Sequence, residues 1–331
     1  MNGGTITATE DALDISTFAQ DTTITINGGT MSSQSYSALA IRGTNTVVNI
    51  DGGLIENNGH CGAFVSSSGS LDPNSIVFNM TDGKLTSTGT GILTDYALTV
   101  NIGEEAAIET AGTGISVKGT TVLNVDGGSI TSGSYAIQAN YNNTVNITGG
   151  KIQTTSTYAP AIQIGTDSNA TISGGTITGK KVLAGDKEDI TVTGGTFKDG
   201  ETKVDVNTYF PEGAILTQDP TGAVTPKAPG DGETVIAEVN SVPYNSIKNA
   251  INAAQDGDTV VLKATSTKNE SIVISDGRSI TLDMNGFDIG FAKQKNILRI
   301  YKKILQKKCV CVQMYFLCYN EKKEFMIGAS V

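Results

Sequence analysis

Val48-Asn49-Ile50-Asp51-Gly52-Gly53-Leu54-Ile55 is the phrase on which the fold turns. It consists of an apolar residue, a polar one, an apolar one, a polar one, two glycines, a variable position and a second apolar residue. It recurs as Ile24-Thr25-Ile26-Asn27-Gly28-Gly29-Thr30-Met31, and again over residues 123–130, 145–152, 170–177 and 190–197. Looser copies occupy 78–85, where Asp82-Gly83 replaces the glycine pair, and 100–108, where Glu104-Glu105 stands there with one residue added. Asn2 to Ile6 is the tail of a ninth copy. Self-similarity at a fixed period is the signature of a stacked repeat. From Gly3 to Gly194 eight intervals span 191 residues, about 24 each.

The period-2 pattern before the glycines marks a strand whose alternate residues face inward. The glycines allow a sharp turn where a Cβ would clash, and the following Ile or Leu points inward again. An apolar pair upstream of each phrase, such as Gly114-Ile115, Ala136-Ile137 or Ala161-Ile162, supplies a third short strand. One such coil cannot bury its own apolar face, so neighbouring coils must cover it. The expected fold is all-β: a right-handed parallel β-helix of about nine coils. Its inward columns are Ile26, Ile50, Met80, Ile102, Val125, Ile147, Ile172, Val192 and Ile6, Met31, Ile55, Leu85, Ile108, Ile130, Ile152, Ile177, Phe197. The L-x-x-L-x-L frame of leucine-rich repeats and the G-G-x-G-x-D of calcium-binding nonapeptides are both absent.

Composition agrees with this reading. Thirty-nine glycines, seven prolines, no Trp and 17% charged residues describe a strand- and turn-rich chain. Residues 1–290 hold 14 Lys+Arg against 31 Asp+Glu, a net −17, because nine basic residues and two acidic ones lie in 291–331. Such an acidic body lacks the basic footprint that nucleic-acid binding requires. Cys61 is the only cysteine of the body, so no disulfide closes within it. No apolar run of about 18 residues is present to span a membrane, and no signal peptide precedes the first repeat.

Four segments are expected. Residues 1–216 form the β-helix, with 201–217 as a strand-turn ending. Residues 217–233, with Pro220, Pro226 and Pro229, read as a Pro/Gly linker. Residues 234–290 open with a hairpin, TVIAEVNSVPYN, and then SIKNAINAAQ, whose Ile247, Ala250, Ile251 and Ala254 follow helical spacing. The strand-like stretches DTVVL, SIVIS and SITLDMNGFDI come next, so this unit reads as an N-terminal cap and the first strands of a second β-helix. Residues 291–331, with eight lysines, three cysteines and one glycine, break the pattern and read as a shifted frame or truncation. The rival reading is a basic membrane-surface segment, since Ile297, Ile300, Tyr301 and Ile304 follow helical spacing.

The GGxI coils, the ending Tyr209-Phe210-Pro211-Glu212-Gly213 and the run from Tyr244-Asn245-Ser246-Ile247 through Asp256-Gly257-Asp258-Thr259-Val260 to Leu282-Asp283-Met284-Asn285-Gly286 resemble β-helix surface and adhesin-type proteins of Gram-positive gut bacteria. The resemblance covers about 290 residues. It implies the pectate-lyase-like superfold, a modular parent chain of which this is a fragment, and extracellular or cell-surface location in that parent. It does not imply lyase chemistry, because superfolds host many functions.

Chemistry-bearing residues are sparse. Elimination on acidic polysaccharide needs a basic side chain and calcium-holding carboxylates, yet Arg42 is the only arginine in 1–200. Asp51 and Asp126, before their glycine pairs, are expected to bond their own turn backbone. For hydrolysis, Asn58-Gly59-His60-Cys61-Gly62 resembles the Gly-His-Gly of polygalacturonase-like enzymes, which would make His60, Asp51 and Asp82 the catalytic alternative; no Asp-Asp pair accompanies this lone histidine. Cys61 reads as a buried filler, and neither metal nor cofactor is implied. Asn49, Asn79, Asn101, Asn124 and Asn146, continued by Thr171 and Thr191, should face outward with amides stacked and bonded. Tyr36, Tyr135 and Tyr158, each ahead of its coil's third strand, are candidates for stacking on sugar rings. The expected function is a non-enzymatic adhesin or carbohydrate-binding stalk segment with glycan partners. A polysaccharide lyase or hydrolase and a passive spacer are the alternatives.

Overall fold

The computed structural model describes residues 1–67, 75–227, 234–266 and 278–287, positions 272, 274 and 289, and the backbone of Cys318–Tyr319 and Phe325–Met326. Two compact units emerge: Met1–Phe210 with Gln218–Thr225, and Pro211–Thr217 with Pro226–Val331.

The first unit is a right-handed parallel β-helix with three strands per coil. The third strands form an eight-stranded sheet whose spatial order is chain order, from Leu13–Ile15 through Cys61–Ser66 to Leu183–Ala184. The strands before and after the glycine pair belong to one large sheet. In two coils they run straight through the corner, as Thr46–Asn57 and Ile76–Ser87.

Register follows the repeat. Ile26, Ile50, Met80, Ile102, Val125, Ile147, Ile172 and Val192 stand directly over one another. The second column, Ile6 to Phe197, runs through nine rungs. All these side chains are buried except Ile6, which is 39% exposed because its rung is the first and is covered from one side only. Burying each Ile or Leu contributes roughly 1.5–3 kcal/mol, so a stack of aliphatic rungs can hold a body that has no disulfide.

The two glycines of a corner are required for different reasons, as Gly174-Gly175 shows. A Cβ on Gly174 would lie 1.9 Å from the Thr148 carbonyl oxygen of the preceding coil. Gly175 has φ +83°, a left-handed backbone that side chains disfavour.

After Gly195–Asp199 the parallel pattern ends. Thr202–Lys203 folds back antiparallel, and Ala223–Pro226 also runs antiparallel to the last rung, pairing Gly195 with Val224. The buried Gln218 holds this ending: its Nε2 donates to the Val204 and Gly222 carbonyls at 2.9 and 3.0 Å, and its Oε1 accepts from the Val206 N–H at 3.3 Å. Antiparallel return strands occupy the edge groups of the last coil, which a further parallel strand would otherwise need. Within the segment read from composition as a linker, residues 218–225 are therefore built into the β-helix; residues 228–233 lie outside the described residues.

In the second unit, Ala237–Val239 and Val242–Tyr244 form the hairpin, turned by Asn240 and Ser241, both with positive φ, as a two-residue primed turn requires. Thr259–Leu262 pairs antiparallel with Ala237–Val239, and Thr281–Asp283 pairs parallel with Thr259–Leu262. The helix Ile247–Ala253 is N-capped by Ser246, whose Oγ accepts the Asn249 N–H at 3.1 Å, and it buries Ile247, Ala250 and Ile251. Among its described residues the second unit thus combines a hairpin, a helix and a parallel strand pair. The strand read at SIVIS lies for the most part outside the described residues, and the side chains of 291–331 lie wholly outside them. Among the described residues no helix is long and apolar enough to cross a membrane.

Candidate functional site

The outward positions of the first strands carry a continuous amide ladder. Nδ2 of Asn79 donates to Oδ1 of Asn49 at 2.9 Å, Asn101 to Asn79 at 2.8 Å, Asn124 to Asn101 at 2.8 Å and Asn146 to Asn124 at 2.9 Å. An amide has both a donor and an acceptor end, so each Asn can bond the coil on either side. Their register, alternating with buried residues, leaves all five half-buried with one flank to solvent.

Asp51 and Asp126 correct an expectation. Rather than bonding their own turns, their carboxylates accept from the hydroxyls of the next coil, Thr81 at 2.6 Å and Thr148 at 2.7 Å. Stacking brings the next coil's hydroxyl within reach at the same corner position. Beside them, past the glycine corner, runs a shallow groove of about 490 Å³ lined by Glu56, Thr86, Ser87, Glu109, Thr110 and Thr131, with Glu109 held by Lys84 at 2.7 Å.

Of the catalytic alternatives, Asp51 and Asp82 are register partners on adjacent coils, both exposed, and the Asp82 carboxylate accepts its neighbour Gly83 N–H at 2.5 Å. His60 is exposed one corner further along its coil, where its backbone N–H donates to the Ser35 and Tyr36 carbonyls. No hydrogen bond joins its ring to either carboxylate among the described residues. Arg42 is engaged by Asp11 at 3.2 Å and by Asp14, and lies 5.6 Å from the centre of the Phe64 ring. Cys61 is buried with its Sγ 3.3 Å from the Ser37 hydroxyl, and burial pushes its thiol above the ordinary range, which suits an inert core thiol. Among the described residues no three His, Cys, Asp or Glu side chains are grouped to hold a metal.

Tyr36 and Tyr158 are exposed and Tyr135 is half-buried. They share no column. Ser37 registers with Cys61, which sets Tyr36 opposite His60. Ile137 registers with Ile162, so Tyr135 stands opposite Pro160 and Tyr158 lies two residues further back.

The aromatic pair that does share a column is Tyr96 and Tyr141, at the corner after the third strand. Both are exposed, and both are left-handed, with φ +66° and +70°. Gly119, φ +69°, occupies the same position in the coil between them: Lys118 registers with Asn140, and a Cβ on Gly119 would lie 2.6 Å from the Tyr96 nitrogen. A buried polar network anchors this corner from inside. Asn143 accepts the Thr121 N–H at 2.9 Å and donates to the Asn140 carbonyl at 2.7 Å, while Thr121 Oγ1 donates to the Tyr96 carbonyl at 3.1 Å. In the sequence the signal is faint, an aromatic between polar or small residues just past a strand, as in Asp95-Tyr96-Ala97 and Asn140-Tyr141-Asn142.

Comparison with protein-family models, with curated proteins and with solved structures gives no match to this chain.

Proposed function

We propose that this chain is a non-enzymatic module of a secreted or cell-surface protein, an adhesin or stalk segment that presents a rigid polar face to glycans. The observation that carries the reading is the ladder of Asn49, Asn79, Asn101, Asn124 and Asn146, with the hydroxyl and carboxylate pairs beside it. It is a long, flat, hydrogen-bonding surface locked coil to coil. Such a surface is preorganised, so little ordering entropy opposes binding of a repetitive, hydroxyl-rich polymer. The engagement of Arg42 by two aspartates and the separation of His60 from Asp51 and Asp82 support binding over bond cleavage. The finer placement, in the pectate-lyase-like superfold among surface proteins of Gram-positive gut bacteria, belongs to the same proposal and rests on the coil and cap motifs.

The test is a glycan array probed with the whole chain, paired with an assay of the same glycans for new reducing ends or unsaturated sugars. Binding without product is the expected result. Turnover of any glycan refutes the non-enzymatic reading, and no binding to any glycan refutes the glycan partner.

A further inference from the structure

We infer that the groove along Glu56, Thr86, Glu109 and Thr131 binds a linear 1,4-linked glycan whose sugars carry free amino groups, with a ligand ammonium on the Glu56 carboxylate. The inference rests on the glycan-binding reading and adds to it a site and a ligand class.

The groove is a product of stacking. Glu56 registers with Thr86, Thr86 with Glu109 and Glu109 with Thr131, so one outward column of four successive coils lines it. The hollow measures about 490 Å³. Asn57 and Ser87, which also line it and are buried, tie two of its coils together: the Ser87 hydroxyl donates to Oδ1 of Asn57 at 3.3 Å, and Nδ2 of Asn57 donates to the Tyr36 carbonyl at 2.9 Å. A groove already built spares the cost of ordering it on binding. It runs along the stack, and each coil advances about 4.8 Å, close to the length of one 1,4-linked pyranose unit. A glycan laid in it therefore meets one sugar per coil. Carboxylates stand on alternate coils, Glu56 and Glu109, with the Thr86 hydroxyl on the coil between them. In a flat two-fold ribbon of 1,4-linked sugars, like substituents also face one side at every second unit.

The charges select the amine. Glu109 is paired with Lys84, whose Nζ lies 2.7 Å from its carboxylate, so this column accepts an ammonium where one is within reach. Both members of that pair are about half exposed, so it is weak and can be exchanged for a ligand ammonium. Glu56 lines the groove half-buried and has no hydrogen bond or ion pair among the described residues. Its partial removal from water strengthens its attraction for a cation. Net −17 over residues 1–290 draws cations toward the body and repels phosphate- or carboxylate-rich polymers. The Thr86 and Thr131 hydroxyls, each donor and acceptor, suit the hydroxyls of the sugar.

The experiment titrates the full chain by calorimetry with a β-1,4-linked glucosamine oligosaccharide and with its fully N-acetylated counterpart. A mildly acidic pH keeps the amines protonated and the carboxylates ionised. The free-amine form should bind more tightly by roughly tenfold or more, the worth of one charge-assisted hydrogen bond. Glu56→Gln keeps the shape, removes the charge and should lose roughly tenfold in affinity for that form. Lys84→Gln frees Glu109 and should tighten binding. Glu201→Gln, an exposed carboxylate in the turn of the antiparallel return, should bind as the parent does, and thermal unfolding checks that all three variants are folded. Parent-like affinity in Glu56→Gln, or an equal loss in Glu201→Gln, overturns the site. No gain in Lys84→Gln overturns the engagement of a ligand amine by Glu109. Equal affinity for the two oligosaccharides, or capture of oligolysine as tightly as the amino sugar, overturns the ligand class. Binding of neutral glycans alone overturns the inference and leaves the glycan reading standing, whereas binding to no glycan overturns both.

Discussion

The asparagine ladder predicts a pattern of free energies that no isolated hydrogen bond would produce. Asn101 sits inside it: its Nδ2 donates to Asn79 and its Oδ1 accepts from Asn124, both at 2.8 Å. Asn49 stands at the end and accepts only from Asn79 within the ladder. All are half-buried, so water can reach the groups left behind by a truncation. Each broken bond should then cost its net value, about 1 kcal/mol, rather than a full desolvation penalty. Asn101→Ala should destabilise the first unit by about 2 kcal/mol and Asn49→Ala by about 1 kcal/mol. Asn and Ala are both poor strand residues, so propensity largely cancels from the comparison. The double variant Asn79→Ala with Asn101→Ala removes three bonds, because the two residues share one. Its cost should be about 3 kcal/mol, about 1 kcal/mol less than the sum of the single variants. Urea unfolding followed by far-UV circular dichroism measures this, provided the slope with denaturant is unchanged across the series. Equal costs for Asn101→Ala and Asn49→Ala, or full additivity in the double variant, would refute cooperative stacking of the amides.

Three further outcomes follow from packing and burial. Ile130→Ala, in the middle of a filled column, should cost about 2–5 kcal/mol, whereas Ile6→Ala, on the 39% exposed first rung, should cost well under half as much in the same urea experiment. Gly174→Ala drives a methyl to 1.9 Å from the Thr148 carbonyl oxygen and should destabilise by about 3 kcal/mol or more, while Gly28→Ala, whose methyl meets nothing nearer than the Asn2 carbonyl oxygen at 3.6 Å, should be close to neutral by thermal melting. The Tyr244 hydroxyl is pushed up to about 12, first by burial and then by the Asp258 carboxylate. A raised folded value means that the protonated form is favoured by folding. The stabilisation is therefore complete below the ordinary tyrosine range near 10 and is lost as pH rises from there through about 12, worth about 2–3 kcal/mol. Alkaline unfolding of the parent and of Tyr244→Phe measures it; an identical fall in stability over that window would show that Tyr244 is not the source.

The repeat made the stack legible because each coil solves the same local problem with the same residues. Period-2 alternation decides which side chains face in, and a one-residue slip would turn every one of them outward. The columns from Ile26 to Val192 and from Ile6 to Phe197 could therefore be read before any coordinate. The outward Asn column could be read as well, because it alternates with them. The hairpin at 237–244 and the helix at 247–253 were equally visible, one through its strand-turn-strand pattern and the other through its spacing of Ile and Ala.

Corners are where local reading runs out. They vary in length, so equal distance from a strand does not mean equal position in a column. Tyr158 lies two residues out of line with Tyr135, whereas Tyr96 and Tyr141, unremarkable as text, stand in line with Gly119 between them. The partners of Asp51 and Asp126 lie 30 and 22 residues away and become neighbours only when one coil closes over another. The antiparallel return of Ala223–Pro226 onto Gly195–Asp199 is a contact of the same kind, hidden in a stretch whose prolines and glycines suggest a spacer. The inward pattern is set residue by residue, by which side chains shun water. Which outward groups meet depends on how far each corner carries the chain before the next coil is laid down, and that distance exists only in the assembled stack.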